Sequence, residues 1–309
     1  LAKKYIFNWY KKSHSYYSSI WSDLLVSKRF INLIYNYDFY AISADKNERK
    51  KFHKIILEHF LIIKLNSKKN VNLFFIEEIK SLILGLLIYK KSIDNEKKLL
   101  KQIILDQVDS NGFHKSYNPS IHVEFINNLY EIRNIFLFFK IDVSADIHFQ
   151  ILNMSSLTMS LFHKDTSIAL FNGSNNFNIN QIKKLINLST DINPKKIINF
   201  KNGIEIYSDN DKKLFFDVVL PQNYKFHKNI HSGTLSFELS CEDEKIITNC
   251  GSLEKRIGSK PDYLRYSAAH STIIINNTNI SELVEQKGYK RIPKNINFEK
   301  KENNDYVIL

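Results

Sequence analysis

The stretch Gly233–Ser240 reads GTLSFELS and carries the clearest structural signal in the chain. Apolar and polar side chains alternate along it, three against three: Leu235, Phe237 and Leu239 against Ser236, Glu238 and Ser240. Successive side chains of an extended chain point to opposite faces, so this period of two predicts a strand whose two faces meet different surroundings.

Similar stretches surround this strand throughout the second half of the chain. Alternating or β-branched runs occupy five further ranges: Ser167–Phe171, Ile197–Tyr207, Lys213–Leu220, Lys245–Asn249 and Ser271–Asn276. Turn-forming pairs such as Asn172-Gly173 and Asn202-Gly203 separate them. The second half of the chain is therefore predicted to consist of strands.

The first half has the helical period instead. Apolar residues recur every three or four positions in four ranges: Lys51–Leu65, Phe74–Lys91, Ile93–Val108 and Ile147–Phe162. Asn118-Pro119 supplies a cap and a first-turn proline for a further helix that runs through Phe136. Successive helices with short connections are typical of an all-α bundle or an α/α toroid.

Helices first and strands afterwards predict an α+β chain of two domains, with a helical domain at residues 1–165 and a β-domain at residues 166–309. The chain begins with Leu1 and stops inside the apolar run Val307–Leu309. We therefore expect a fragment that is truncated at its C-terminus and in which a signal peptide would not be visible.

The composition permits a polyanionic partner, although lysines spread along a chain are more often a solvated surface than a binding site. The chain has 309 residues and a formal net charge of +12, but only 6 of its 44 basic residues are Arg. A basic surface attracts acidic polysaccharide, nucleic acid or anionic lipid. Nucleic-acid readers usually cluster Arg within a recognisable module, which is missing here, so we expect no nucleic-acid partner. No apolar run is long enough to be a transmembrane helix.

Histidines in loops are the main candidates for chemistry. The segment from Asn111 to His122, NGFHKSYNPSIH, places His114 in a glycine-containing loop and His122 within the first turns of a helix. The alternative interpretation is that His122 is a hydrogen-bonded core histidine. In the β-domain, His231 and His270 each stand next to a predicted strand, where two imidazoles could form part of a zinc site or could meet only solvent and backbone.

Taken together, these motifs resemble the heparinase II/III-like family. The motifs that carry the resemblance are, in chain order, NGFH (111–114), ALFNG (169–173), HSGTLSFEL (231–239), NCG (249–251) and AAHST (268–272). The resemblance implies an N-terminal α/α toroid, incomplete here, followed by an antiparallel β-sandwich. It also implies a bacterial polysaccharide lyase of the periplasm or cell envelope that acts on acidic, glycosaminoglycan-like or alginate-like glycans.

The implied reaction is a β-elimination beside a uronic acid. Hydrogen bonds that neutralise the sugar carboxylate make the proton at C5 more acidic. A Tyr or His then removes this proton, and an acid such as Tyr protonates the departing O4. The candidate catalytic residues are His114, Tyr117, His122 and His231. The candidate substrate-binding residues are Asn72, Asn111, Arg133, His163, Asn229 and Arg265.

The chain departs from the family pattern at several positions. Ile121 stands where relatives often have Tyr, and Asn72-Leu73-Phe74 keeps only the Asn of an Asn-His pair. Asn249 replaces the Asp of the family's usual zinc set, which leaves His231 and His270. Because a neutral amide is a poor zinc ligand, we expect weak or no zinc binding and no required cofactor.

Two other functions stay open at this point. A catalytically inactive glycan-binding or cell-envelope protein could keep the same fold. A hydrolase would need two carboxylates facing each other across a cleft. The helical half offers only Glu77 and Glu78, which we expect to face solvent or to cap their helix.

Overall fold

The computed structural model describes residues 1–13, 19–69, 75–175, 203–222, 230–252, 263–284, 288–296, 301–302 and 307–308. The chain forms two compact units. The first contains Leu1–Asp106 and Glu131–Ser144, and the second contains Gln107–Tyr130 and Ala145–Leu309. The predicted division near residue 165 stays a prediction.

The helices confirm the periodicity of the first half. They are α1 (Ala2–Lys12), α2 (Asp23–Tyr35), α3 (Tyr37–Ala41), α4 (Lys46–Lys69), α5 (Ile76–Ile88), α6 (Asp94–Gln107), α7 (Pro119–Phe138) and α8 (Ala145–Ser160). α7 begins at the predicted proline, and the Asn118 side chain accepts a hydrogen bond from the Ile121 N–H, as expected of a cap. No described helix has the length and apolar character needed to cross a membrane.

The core of the first unit forms where α2 packs against α4 and α5. Phe30, Phe52, Ile55 and Ile83 are fully buried there. Both glutamates considered for a hydrolase are also buried at the start of α5, so the expected solvent exposure is wrong, whereas the expected helix capping is confirmed for Glu78. Glu78 accepts a hydrogen bond from the Phe75 N–H, which closes the first turn of the helix.

The second unit contains antiparallel sheets. β1 (Ile204–Ser208), β2 (Lys212–Asp217), β3 (Phe237–Cys241) and β4 (Glu244–Ile247) form one sheet in that order. β5 (Glu282–Val284) pairs with β6 (Gly288–Arg291), and β7 (Lys301–Glu302) pairs with β8 (Val307–Ile308). The described chain is therefore α+β, as predicted.

Several strand predictions need correction. β2, β3 and β4 are shorter than the predicted ranges 213–220, 233–240 and 245–249, and each extends one residue beyond its range. β1 covers the end of range 197–207, of which 197–202 lies outside the described residues. The predicted strands 167–171 and 271–276 are wrong. Each makes a single isolated bridge, at Ile168 and at Ile275. In the later range, Ser271 and Thr272 donate their hydroxyl groups to the carbonyls of Phe237 and Thr234, so these polar side chains hold the segment in place without a ladder.

The strand β3 buries its polar face. Glu238 and Ser240 on β3 are buried, whereas Phe237 and Leu239 are partly exposed. The buried face meets His163, whose ring nitrogens lie 2.9 Å from Ser240 Oγ and 2.9 Å from Glu238 Oε2. The alternation is thus confirmed from Phe237 onward, but its polar side points inward because a buried histidine satisfies it.

Candidate functional site

A short loop before α7 presents Tyr117. Asp109 organises this loop, because its Oδ1 accepts hydrogen bonds from the N–H groups of Asn111 and Phe113. Its other oxygen, Oδ2, lies 3.1 Å from the Tyr117 hydroxyl, which donates to it. Tyr117 has a φ of 48°, an uncommon conformation for a residue with a bulky side chain. Burial, and then the charge of Asp109, raise the pKa of Tyr117, so its phenol keeps its proton at neutral pH.

His114 and His122 support this loop from inside. His114 Nδ1 lies 2.8 Å from Ser116 Oγ, and His114 Nε2 lies 3.3 Å from Gln107 Oε1. The backbone N–H of His114 donates to His122 Nδ1, and His122 Nε2 lies 3.0 Å from Thr158 Oγ1. Both rings are buried, and burial lowers the pKa of His122 to about 4. They therefore fix the backbone that leads to Tyr117.

A second turn holds Tyr117 from the other side. Asn172 in the predicted Asn-Gly turn donates its side-chain amide to the Tyr117 carbonyl at 3.1 Å. The Asn118 side chain donates in return to the Asn172 carbonyl at 2.8 Å. This reciprocal pair joins the loop before α7 to the turn that follows residue 168. The backbone on both sides of Tyr117 is therefore fixed.

These loops and the β-strands enclose a cleft within the second unit. The cleft is narrow, with a cavity volume of about 30 Å³. Its walls come from the loop before α7, from the turn at Asn172, and from residues on and beside β2, β3 and β6. The lining residues are Lys115, Ser116, Tyr117, Asn172, Asp217, Val219, Leu220, Pro221, Gln222, Ile230, Thr234 and Tyr289. Neighbours of His114 and of His231 thus line one concavity.

The β side of this cleft carries two titratable groups that the sequence analysis did not select. Asp217, the last residue of β2, is buried, and burial raises the pKa of its carboxyl to about 7. Tyr289 on β6 donates its hydroxyl to the His231 carbonyl at 2.8 Å. Burial, and then the charge of Asp217, raise the pKa of Tyr289, while Arg265 opposes this shift. Asp217 directly follows the apolar pair Phe215-Phe216, so only its position at the end of a strand could have indicated it.

Arg265 is buried behind this wall. Its Nε donates to the Ile230 carbonyl at 2.9 Å, which fixes a residue of the cleft lining. Its Nη2 is buried without a hydrogen-bond partner among the described residues. Burying a charged guanidinium nitrogen in this way is costly, so Arg265 holds an unused donor beside the site.

The remaining β-domain histidines form a buried polar chain. His231 Nδ1 lies 3.3 Å from His270 Nε2, and His270 Nδ1 lies 3.2 Å from Asn249 Oδ1. The Asn249 amide then donates to Glu238 Oε1, and the other oxygen of Glu238 pairs with His163. His163 therefore belongs to the sheet interior rather than to the cleft lining.

This donor set does not fit a zinc ion. Asn249 contacts one nitrogen of the His270 ring, whereas His231 contacts the other, so the three groups do not converge on one point. The third donor beside these two imidazoles is the neutral amide of Asn249, while structural zinc sites use four ligands and favour anionic ones. Among the described residues, no group of three or more His, Cys, Asp or Glu is placed to hold a metal ion.

Two candidate substrate-binding residues lie elsewhere, and two more fall outside the described residues. Asn111 is exposed in the turn that Asp109 organises. Arg133 lies on the part of α7 that belongs to the first unit. Asn72 and Asn229 fall outside the described residues.

Comparison with known proteins confirms the family resemblance. Residues 200–309 match the family model described as Heparinase II/III-like, C-terminal. No curated protein sequence matches the chain.

Solved structures with a similar fold include heparinases and a heparan sulfate lyase. A crystal structure of heparinase III has a TM-score of 0.71 and 13% identity, and the match covers 97% of this chain and 53% of that one. Heparan sulfate lyase HepC from Pedobacter heparinus has a TM-score of 0.59 and 16% identity, with 90% and 50% covered. A further heparinase III gene product has a TM-score of 0.63 and 14% identity, with 84% and 45% covered. The chain thus spans about half the length of these structures, and at this identity the likeness shows the fold.

Proposed function

We propose that this heparinase II/III-like chain is part of a polysaccharide lyase that cleaves uronic-acid-containing glycans by β-elimination. In this proposal the helices belong to an α/α toroid, the sheets belong to a β-sandwich, and the protein works in the periplasm or cell envelope. The observation that carries the proposal is the cleft in the second unit, where the protonated phenol of Tyr117 shares one concavity with Asn172, Asp217 and Tyr289.

Tyr117 is assigned the role of the acid. Elimination leaves a negative charge on the departing O4 oxygen, and a phenol that keeps its proton at neutral pH can donate that proton as the C4–O4 bond breaks. The raised pKa of Tyr117 supports this role better than that of a base, which would need a phenolate. Its hydrogen bond to Asp109 orients the hydroxyl.

His231 is assigned the role of the base that takes the C5 proton. The ring nitrogens of His114 are engaged by Ser116 and Gln107, and His122 is buried against α8, so both are assigned to positioning Tyr117. His231 follows Ile230 in the cleft wall and is in contact with His270, so a proton taken up by one ring can be shared between two. Because His231 is only 1% exposed and does not itself line the cleft, this role requires the cleft wall to open for the sugar.

The Tyr117→Phe variant tests the acid assignment. It removes one hydroxyl and leaves the ring, so we expect kcat on a uronic-acid polymer to fall by about 10²–10⁴-fold, the usual contribution of a positioned acid. Tyr263→Phe is the matched control, because Tyr263 is an exposed tyrosine of the same unit. Equal kcat values for the wild type and Tyr117→Phe would exclude Tyr117 as the acid.

A further inference from the structure

Asp217 is a buried acidic residue in the wall of the cleft. It is 2% exposed, and yet it lines the cleft. The Val219 N–H donates to its Oδ1 at 3.0 Å, and among the described residues its Oδ2 makes no hydrogen bond. One carboxyl oxygen at the end of β2 is therefore available to a ligand in the cleft.

Burial, opposed by the hydrogen bond from the Val219 N–H, decides which form of the Asp217 carboxyl is stable. Lys115 and Tyr117 line the same cleft from the loop before α7, Tyr289 does so from β6, and the Arg265 guanidinium acts on Tyr289 from the turn at 263–265. In the sheet, β1 places Ile204 opposite Asp217, and the Asp217 N–H donates to the Ser236 carbonyl. The pKa values of both tyrosines are raised, so they stay neutral, and burial keeps the carboxyl protonated up to a pH of about 7.

A protonated carboxyl and a carboxylate would act on an acidic sugar in opposite ways. An ionised Asp217 would repel the carboxylate of a uronic acid in this small cleft. A protonated Asp217 can instead donate a short, charge-assisted hydrogen bond to that carboxylate. Such a bond strengthens as C5 loses its proton and negative charge moves onto the carboxylate oxygens. Buried aspartic acids that stay neutral are known to serve as donors of this kind.

We propose that Asp217 is the residue that neutralises the uronate carboxylate of the substrate, by donating the proton on its free oxygen. The inference rests on the proposed function, whose site it completes, and it makes uronate binding dependent on the protonation of Asp217. Asp217 keeps its proton throughout the reaction, so no bond at this residue is made or broken.

Calorimetric binding tests the proposal. The probe is an oligosaccharide of unsulfated N-acetylheparosan, and its carboxyl-reduced form serves as the matched neutral ligand. If one proton with a pKa of about 7 must be bound, the dissociation constant of the wild type should rise by about thirtyfold between pH 6 and pH 8.5. The carboxyl-reduced ligand should show no such change.

Two variants separate donation from simple packing. Asp217→Asn keeps an N–H donor at every pH, so its affinity for the acidic oligosaccharide should stay within about twofold between pH 6 and pH 8.5. Asp217→Ala should bind at least tenfold more weakly than the wild type at pH 6. Asp211→Asn is the control, because Asp211 is an exposed aspartate in the turn before β2.

The outcomes distinguish this inference from the proposed lyase activity. Binding that depends on pH in the wild type but not in Asp217→Asn supports the inference even if no elimination product forms. A wild type that eliminates, and whose binding shows the same pH dependence as Asp217→Asn, overturns the inference and leaves the lyase assignment intact. Failure of the wild type to bind the acidic oligosaccharide at pH 6 also overturns it.

Discussion

The buried His122 should make the second unit sensitive to mild acid. Its ring is fully buried, its Nδ1 accepts the His114 N–H, and its Nε2 contacts Thr158 and the Met154 carbonyl. Burial lowers the pKa of His122 in the folded state from 6.5 to about 4. Between these two values the unfolded chain binds a proton at this residue and the folded chain does not, so stability falls as the pH falls.

The size of the effect follows from the pKa difference. At about 1.4 kcal/mol per pKa unit, the whole shift is worth about 3 kcal/mol, and about 2 kcal/mol of this is lost between pH 7.5 and pH 5. Other groups also titrate in this range, and the raised pKa of Asp217 has the opposite sign. The test therefore compares the wild type with His122→Gln, in which all other groups are shared.

Denaturant unfolding followed by circular dichroism at pH 7.5 and pH 5 measures this difference. When the pH falls from 7.5 to 5, the free energy of unfolding of the wild type should decrease by about 2 kcal/mol more than that of His122→Gln. The fixed effect of the substitution cancels, because it is present at both pH values. His148→Gln, at an exposed histidine on α8, should behave like the wild type. Equal pH dependence in the wild type and His122→Gln would refute the assignment of a neutral, buried His122.

Two further predictions concern the polar chain inside the sheet. Glu238 accepts hydrogen bonds from His163, from the Leu170 N–H and from Asn249. Glu238→Gln places an amide donor among these donors, so it should lower the free energy of unfolding by about 3–5 kcal/mol. A loss under about 1 kcal/mol in denaturant unfolding would contradict this. Because His231, His270 and Asn249 do not converge as zinc ligands, treatment with 1,10-phenanthroline should leave the melting temperature unchanged within about 1 °C. A clear drop in the melting temperature that added zinc reverses would show a metal site.

The sequence predicted well whatever depends on local periodicity. Each helix with a long apolar stripe is present, and the start of α7 was readable because Asn118 caps it and Pro119 occupies its first turn. The strand predictions were less accurate, because short apolar runs do not show whether their backbone pairs with a neighbour. Ile273, Ile274 and Ile275 look like a strand, and yet all three are exposed outside any ladder.

The sequence predicted only part of the candidate site, for a related reason. The motifs located both loops whose neighbours line the cleft, and they selected Tyr117. They could not show that His114 and His122 point inward, because a loop histidine and a core histidine have the same sequence signature until their partners are known. Asp217 was missed because its burial comes from elements distant in sequence, including Tyr289 on β6.

The most direct test of the account is a search for the unsaturated sugar that β-elimination creates. The full natural protein that contains this chain is incubated with heparosan, hyaluronan and alginate, and the ultraviolet absorbance of the unsaturated uronate is followed together with reducing ends. We predict that absorbance and reducing ends rise in step on at least one of these polymers, and that the Tyr117→Phe variant abolishes both. Reducing ends that appear without the absorbance would show a hydrolase, and binding with neither signal would show a glycan-binding protein; either result would contradict the proposed lyase.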